Sequence, residues 1–300
     1  MIAVRAVEND ADVDTYLDVR NRVHPQTPMP REAVLSQRRH PGNLDLIAEL
    51  DGVPAGVATT AEFGGDPGGD LAYVTIRVLR EQRRRGVGGT LLGRAAGHAR
   101  SLGKGRFYAV VRHDDADSLA FYSGRGFEEV SRMQDVQLDL AEVEIEAAVS
   151  TGVQLVPSSE EHDRSTYAVA LEADADVPSG TPLSSGTFEQ WRERNFGPLT
   201  IRELSFLAVE NGRVVGYALL QRHGEDTAEH AMTGVARAAR GRGIAVALKQ
   251  AQIAGAKEAG WRYLRTQNDL GNAPMRRVND KLGYQLRYEW VHLIGPVPGG

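Results

Sequence analysis

The feature that most constrains this chain is a repeat inside it. The segment VLREQRRRGVGGTLL (78–92) returns as VARAARGRGIAVALK (235–249), and Gly126-Phe127 returns as Gly283-Tyr284, both at an offset of 157 residues. Upstream, DGVPAGVA (51–58) matches NGRVVGYA (211–218) at an offset of 160, and the longer glycine-rich loop FGGDPGGD (63–70) of the first copy fits the three-residue difference. Self-similarity over this distance means that one structural unit occurs twice. The 300 residues therefore divide into an N-terminal domain over 1–140, a linker over 141–152 and a C-terminal domain over 153–300.

Each copy carries the same mixed pattern. Asp51-Gly52 and Asn211-Gly212 sit between alternating apolar runs, a strong hairpin signal. LDLIAEL and AGVATTAEF would be the hairpin strands in the first copy, SFLAVE and VVGYALL in the second. A strand over 71–78 or 228–235 then meets an Arg/Gly loop. Helices are predicted over about 87–101 and 244–259, with Gly103 and Gly260 just beyond their ends. A further strand, a short helix and a terminal strand pair complete each copy. Antiparallel strands with a crossover at the centre give an α+β fold, a mixed and mostly antiparallel sheet flanked by helices.

Composition narrows the function. A net charge of −5 and a pI near 5.9 remove most of the electrostatic case for nucleic acid. The chain has no cysteine, which excludes disulfides, thiolate metal sites and a cysteine nucleophile; no metal is expected. The first residues, MIAVRAVEND, lack the basic start and apolar core of a signal peptide. No apolar run is long enough to span a membrane. A cytoplasmic protein is expected, monomeric or homodimeric, with no nucleic-acid or membrane partner.

The loop is the chemical clue. A strand feeding a glycine-rich turn that opens a helix suits phosphate, because free N–H groups and the helix dipole favour an anion there. Glycine lets the backbone approach the ligand. Leu91 stands where a dinucleotide fingerprint needs its third glycine, and no Gly-Lys-Ser/Thr occurs. The pattern present is Arg-x-x-Gly-x-Gly/Ala, as RRRGVG (83–88) and RGRGIA (240–245). Each is followed by a second element, DADSLAFYSGRGF (115–127) and NAPMRRVNDKLGY (272–284).

These two elements, present twice, resemble the acetyl-CoA loop and the Asn-x-x-Ala-x-x-Phe-Tyr-x-x-x-Gly-Phe ending of the GNAT superfamily of N-acetyltransferases. The resemblance covers nearly the whole chain, in a tandem layout. It implies acetyl-CoA as co-substrate, with its pyrophosphate held by Arg83, Arg84, Arg85, Gly86, Val87, Gly88, Gly89 and Thr90 in the first copy. Arg240, Gly241, Arg242, Gly243, Ile244 and Ala245 would do the same in the second. It also implies that the strand ends at Val78 and Val235 splay from the next strand, leaving a gap for pantetheine, and that Asn272 contributes to the second site.

Acyl transfer to an amine also needs a base for the amine proton and an acid for the departing thiolate. By resemblance the acid is Tyr122, where the second copy has Asn279. The base is Glu229, where the first copy has Ala72. His230 lies on the opposite strand face from Glu229 if the strand is regular. Neither copy is complete, and each has lost something different. Glu62, Asp66, Asp70, Asp174 and Asp176 are further carboxylates that suit a cationic amine or a solvated loop. The expected activity is acetyl-CoA-dependent N-acetylation of a small-molecule amine by direct transfer. The alternative is a non-catalytic acyl-CoA-binding sensor or scaffold.

Overall fold

The computed structural model describes residues 1–25, 28–40, 42–64, 68–144, 152–177 and 186–299. The first copy of the repeat runs β1 (Ile2–Ala6), α1 (Asp10–Val23), α2 (Arg31–Gln37), β2 (Leu44–Leu50), β3 (Val53–Glu62), β4 (Leu71–Val78), α3 (Val87–Ser101), β5 (Arg106–Arg112), α4 (Ala116–Ser123) and β6 (Glu128–Asp139). The second runs β7 (Gln154–Pro157), α5 (Asp163–Asp174), α6 (Phe188–Asn195), β8 (Phe206–Glu210), β9 (Arg213–Arg222), β10 (Thr227–Val235), α7 (Ile244–Glu258), β11 (Tyr263–Asp269), α8 (Ala273–Lys281) and β12 (Gln285–Pro296). The strands and helices that flank the Arg/Gly loops lie where the repeat predicts them. Of the expected linker, only 141–144 and 152 are described.

The chain forms two compact units. One comprises 1–111, 115–130 and 291–300; the other comprises 112–114 and 131–290. The units thus part from the repeat copies at the last strands: residues 131–139 of β6 lie in the second unit, and 291–296 of β12 in the first.

In the first unit β1 to β4 pair antiparallel in sequence order, and β5 joins β4 in parallel. In the second, β7 to β10 pair antiparallel, β11 joins β10 in parallel, and β6 closes the far side antiparallel to β11. Both hairpins turn on residues in the left-handed region, Asp51 (φ 54°) with Gly52 (φ 81°) and Asn211 (φ 49°) with Gly212 (φ 75°). Ala72, Val74, Leu92, Ala95, Ala96, Phe107 and Phe127 form the core between β4, α3 and β5. Leu220, Ala228, Ile253, Ala256, Leu264 and Tyr284 do so around α7. Both units are α+β, a mixed and mostly antiparallel sheet flanked by helices.

Candidate active site

Each unit opens its sheet at the same place. β4 pairs with β5 only through Leu71, Ala72 and Tyr73, and β10 with β11 only through Thr227, Ala228 and Glu229. Beyond those residues the parallel strands part. The N–H of Leu79 donates to Ala55 on β3 at 3.0 Å. Because backbone groups alternate in direction along a strand, those of Val78 and Ile76 face the open edge. In the second unit Ala236 donates to Val215 at 2.9 Å, which turns Val235 toward its own open edge.

The Arg/Gly loops have one conformation in two sequences. Gly86 (φ 90°) and Gly243 (φ 79°) cap α3 and α7 in the left-handed region, and no side chain caps either helix. A second left-handed residue lies two positions earlier, Arg84 (φ 61°) in one loop and Gly241 (φ 76°) in the other. The first N–H groups of both helices are thus left for an outside acceptor, the arrangement that binds an anion. Val87 and Ile244 are buried and anchor the helix starts, while Gly89 and Thr90 are exposed. Gly88 is spaced by packing as well: a Cβ there would lie 3.2 Å from the Phe121 ring. At this position the second loop carries Ala245.

The loop arginines are engaged with the protein. Arg83 Nε donates to the Val78 carbonyl at 3.4 Å, and its guanidinium approaches Asp117 at 3.4 Å and Asp115 at 3.6 Å. Arg240 repeats this with Val235 at 3.0 Å and Asp176 at 2.8 Å. Arg85 meets Gln82 at 2.8 Å and Asp51 at 3.9 Å, and Arg242 meets Glu210 at 2.7 Å. Hydrogen bonds from Arg237, then from Arg240, hold the Asp176 carboxyl well below the usual range. Asp70 is tied to the Gly105 N–H and to Arg106, and Glu62 lies 3.9 Å from Lys104. Asp66 lies outside the described residues. Asn272 caps α8, accepting from the Met275 N–H at 3.3 Å, as Asp115 caps α4.

Tyr122 projects from α4 into the first unit's core, 4% exposed, its ring 5.2 Å from Phe121 and 4.9 Å from Phe127. Its hydroxyl meets the Ile76 backbone on the open edge of β4. Burial, then the neighbouring Tyr73, pushes the hydroxyl far above its ordinary value; Arg77 and the Ile76 N–H oppose this without cancelling it. The group is a phenol, and so a proton donor, at neutral pH.

In the second unit this place holds Asn279, 2% exposed, whose Oδ1 accepts from Lys249 Nζ at 2.8 Å and whose Nδ2 is buried without an acceptor. Lys249 is buried on α7, lies 5.0 Å from the Tyr284 ring, and is pushed down to about 7 by burial. Tyr284 contacts His230 Nε2, and His230 Nδ1 bonds Gln252 Oε1 at 2.8 Å. Burial, then the charge of Lys249, keeps His230 neutral, well below its ordinary value. The composition of the sequence motif did not reveal this cluster. Its signal was Lys249 standing where the first copy has Leu92.

Glu229 lies on the other face of β10 from His230, as the strand alternation predicts. Its carboxylate meets His223 Nδ1 at 2.8 Å, and Arg265 bridges His223 Nε2 to the fully buried Asp135. Burial pushes Glu229 up, but the His223 hydrogen bond and the charges of Arg265 and His223 outweigh it and hold the carboxyl below its ordinary range. It is ionised at neutral pH. Tyr122 and Glu229 belong to different units, so neither unit by itself supplies both groups.

The acetyltransferase (GNAT) family pattern matches residues 9–127 and again 168–284. By sequence, no curated protein matches at a significant level. Among solved structures, the chain is similar to a GCN5-related N-acetyltransferase from Sphaerobacter thermophilus, at a TM-score of 0.81 and 20% identity, covering 100% of this chain and 96% of that one. It is similar to a tandem GNAT protein from the clavulanic acid biosynthesis pathway, at a TM-score of 0.80 and 21% identity, covering 100% of both chains. A GCN5-related glucosamine N-acetyltransferase region of a fungal multi-domain β-N-acetylglucosaminidase aligns at a TM-score of 0.80 and 17% identity, over 98% of this chain and 38% of that one.

Proposed function

The chain belongs to the GNAT acetyltransferase family and is an acyltransferase, and from that premise we propose that it is an acetyl-CoA-dependent N-acetyltransferase acting by direct transfer on a small-molecule amine, with the transfer site in the first unit. The observation that carries this reading is Tyr122: a neutral phenol whose hydroxyl stands at the Ile76 N–H, on the edge where β4 parts from β5.

The residues divide the work as follows. The uncapped start of α3, at Val87, Gly88 and Gly89, holds the pyrophosphate, with Arg84 exposed beside it. The open edge at Val78 pairs with pantetheine, and a backbone N–H of that edge polarises the thioester carbonyl. The neutral amine attacks that carbonyl carbon, the C–S bond breaks, and Tyr122 hands its proton to the departing thiolate. The proton released by the new amide nitrogen returns to the tyrosinate. The second unit, with Asn279 and Lys249 in the donor's place, holds a weaker acetyl-CoA site at Ile244 and Ala245. Glu229 is retained as a base candidate of that unit, and its lowered basicity and ties to His223 make it the lesser contributor.

An acceptor screen that follows free CoA thiol tests the reading. Amine-dependent thiol release by the full chain is expected. Tight acetyl-CoA binding with no release for amino sugars, polyamines, amino acids or aminoglycosides would contradict it and favour a sensor.

A further inference from the structure

We propose that the second unit carries a site for free CoA, formed by Lys249 and Asn279 behind its Arg/Gly loop, which holds the coenzyme as its thiolate and disfavours acetyl-CoA. This rests on the reading above only for where the coenzyme's sulfur lies. The unmet donors that define the site stand on independent geometry.

The two copies put different groups in one place. At the offset of 157 residues Asn279 answers to Tyr122, Tyr284 to Phe127 and Lys249 to Leu92. In the first unit the Tyr122 ring lies 4.9 Å from the Phe127 ring. In the second, Lys249 Nζ lies 5.0 Å from the Tyr284 ring and donates to Asn279 Oδ1 at 2.8 Å. The lysine head from α7 thus fills the space that the tyrosine ring takes in the first unit, left open by the shorter asparagine. In the reading above, that ring carries the group that meets the sulfur.

This place holds donors without acceptors. An ammonium has three N–H groups and a primary amide two. Among the described residues Asn279 Oδ1 is the one hydrogen-bond acceptor of Lys249, and no carboxylate pairs with it. Asn279 Nδ2 meets no acceptor, although the residue is 2% exposed. The neighbouring acceptors are used within their own chain of bonds. Gln252 Nε2 donates to the Leu204 carbonyl at 3.2 Å, so its Oε1 is the atom that accepts from His230 Nδ1. His230 Nε2 then accepts from the Tyr284 hydroxyl. Buried donors in this state point to an absent acceptor, and a buried ammonium calls for an anion.

The chemistry of the coenzyme selects which form supplies it. A thioester sulfur is neutral and accepts weakly, whereas a thiolate is an anion and makes a charge-assisted bond to an ammonium. Burial brings Lys249 down to about 7. An entering thiol therefore brings proton and counter-charge together: its S–H proton passes to Nζ, and ammonium and thiolate pair. The second unit is thus suited to the coenzyme that transfer releases.

The test is calorimetry on the full chain with CoA, acetyl-CoA and the S-methyl thioether of CoA, in the wild type, Lys249→Met and Asn279→Ala. At one site per chain CoA should bind at least about tenfold more tightly than either neutral form. The preference should vanish in Lys249→Met and shrink in Asn279→Ala, with the other site unchanged. CoA binding no more tightly than acetyl-CoA at every site, or a preference that survives Lys249→Met, overturns the proposal. A thioether that binds as well as CoA also overturns it, because the thiol then plays no part. If Lys249→Met does not fold, the wild-type comparison of CoA with its thioether decides. Amine-dependent thiol release tests the transfer reading separately, and its failure leaves these titrations to decide the site.

Discussion

The two units share a backbone frame and have inverted interiors. Where the first has Tyr122, Leu92, Ala95 and Phe127, the second has Asn279, Lys249, Gln252 and Tyr284, each at the offset of 157 residues. In the first, one hydroxyl is carried between the Phe121 and Phe127 rings, within the influence of Tyr73 and Arg77, and lies toward an open strand edge. In the second, the same places are filled by a polar chain from Lys249 to Asn279 and from Tyr284 through His230 to Gln252. The loops that precede them hardly differ in conformation. The comparison teaches that the fold preserves the loop conformation, while a few core positions decide whether a buried hydroxyl or a polar chain lies behind it.

The largest expected effect breaks that comparison at its centre. Tyr122→Phe should lower kcat by about 10²–10⁴ and leave acetyl-CoA affinity nearly unchanged, because the hydroxyl acts mainly in the transition state. Steady-state kinetics with any accepted amine, paired with calorimetry, measures both. A comparable fall in kcat for Asn279→Ala would move the chemistry to the second unit.

Next in size is a pH effect peculiar to the second unit. Lys249 titrates near 7 in the folded chain and near 10.5 unfolded. Below the lower value both states are protonated and the penalty of its burial is complete. Between the two values the unfolded state binds the extra proton, so stability rises with pH. From pH 7 to 9 this contributes about 2 kcal/mol, which denaturant titrations of the wild type against Lys249→Met would show as a difference in slope. Equal slopes would mean that Lys249 is not desolvated as described.

The loops come third. Replacing Gly86 and Gly88 together by valine puts β-branched residues at a φ of 90° and against Phe121. Acetyl-CoA affinity should fall at least tenfold, about 1.4 kcal/mol. Ala245→Val in the second loop should cost less, since a Cβ is already accommodated there. Wild-type affinity in a folded Gly86/Gly88 variant would remove the first loop from the site. Smallest is Glu229→Gln, which should lower turnover by a lesser factor than Tyr122→Phe. The reverse ranking would make the first unit the scaffold.

Much of the frame was legible because the repeat states it twice. Asp51-Gly52 and Asn211-Gly212 announced the hairpins, and the paired loops announced where β4 and β10 end. The alternation of Glu229 and His230 across β10 was readable from strand geometry alone. Less legible was anything fixed by packing between distant segments. Asp135 and Arg265 are brought together by the pairing of β6 with β11, and no spacing in the sequence records that. That the side chain of Asn272 caps α8 is likewise visible only in the structure. The placement of 131–139 in one unit and 291–296 in the other depends on strand pairing across more than a hundred residues, beyond the reach of any local pattern.

The central claim, that the two cradles are unequal and the first is the working one, is tested most directly by calorimetric titration of acetyl-CoA into the full chain. The account predicts one tight site and one weaker site per chain, with the tight one lost when Gly86 and Gly88 are replaced. Two equal sites, or a tight site that survives that replacement in a folded protein, would contradict it.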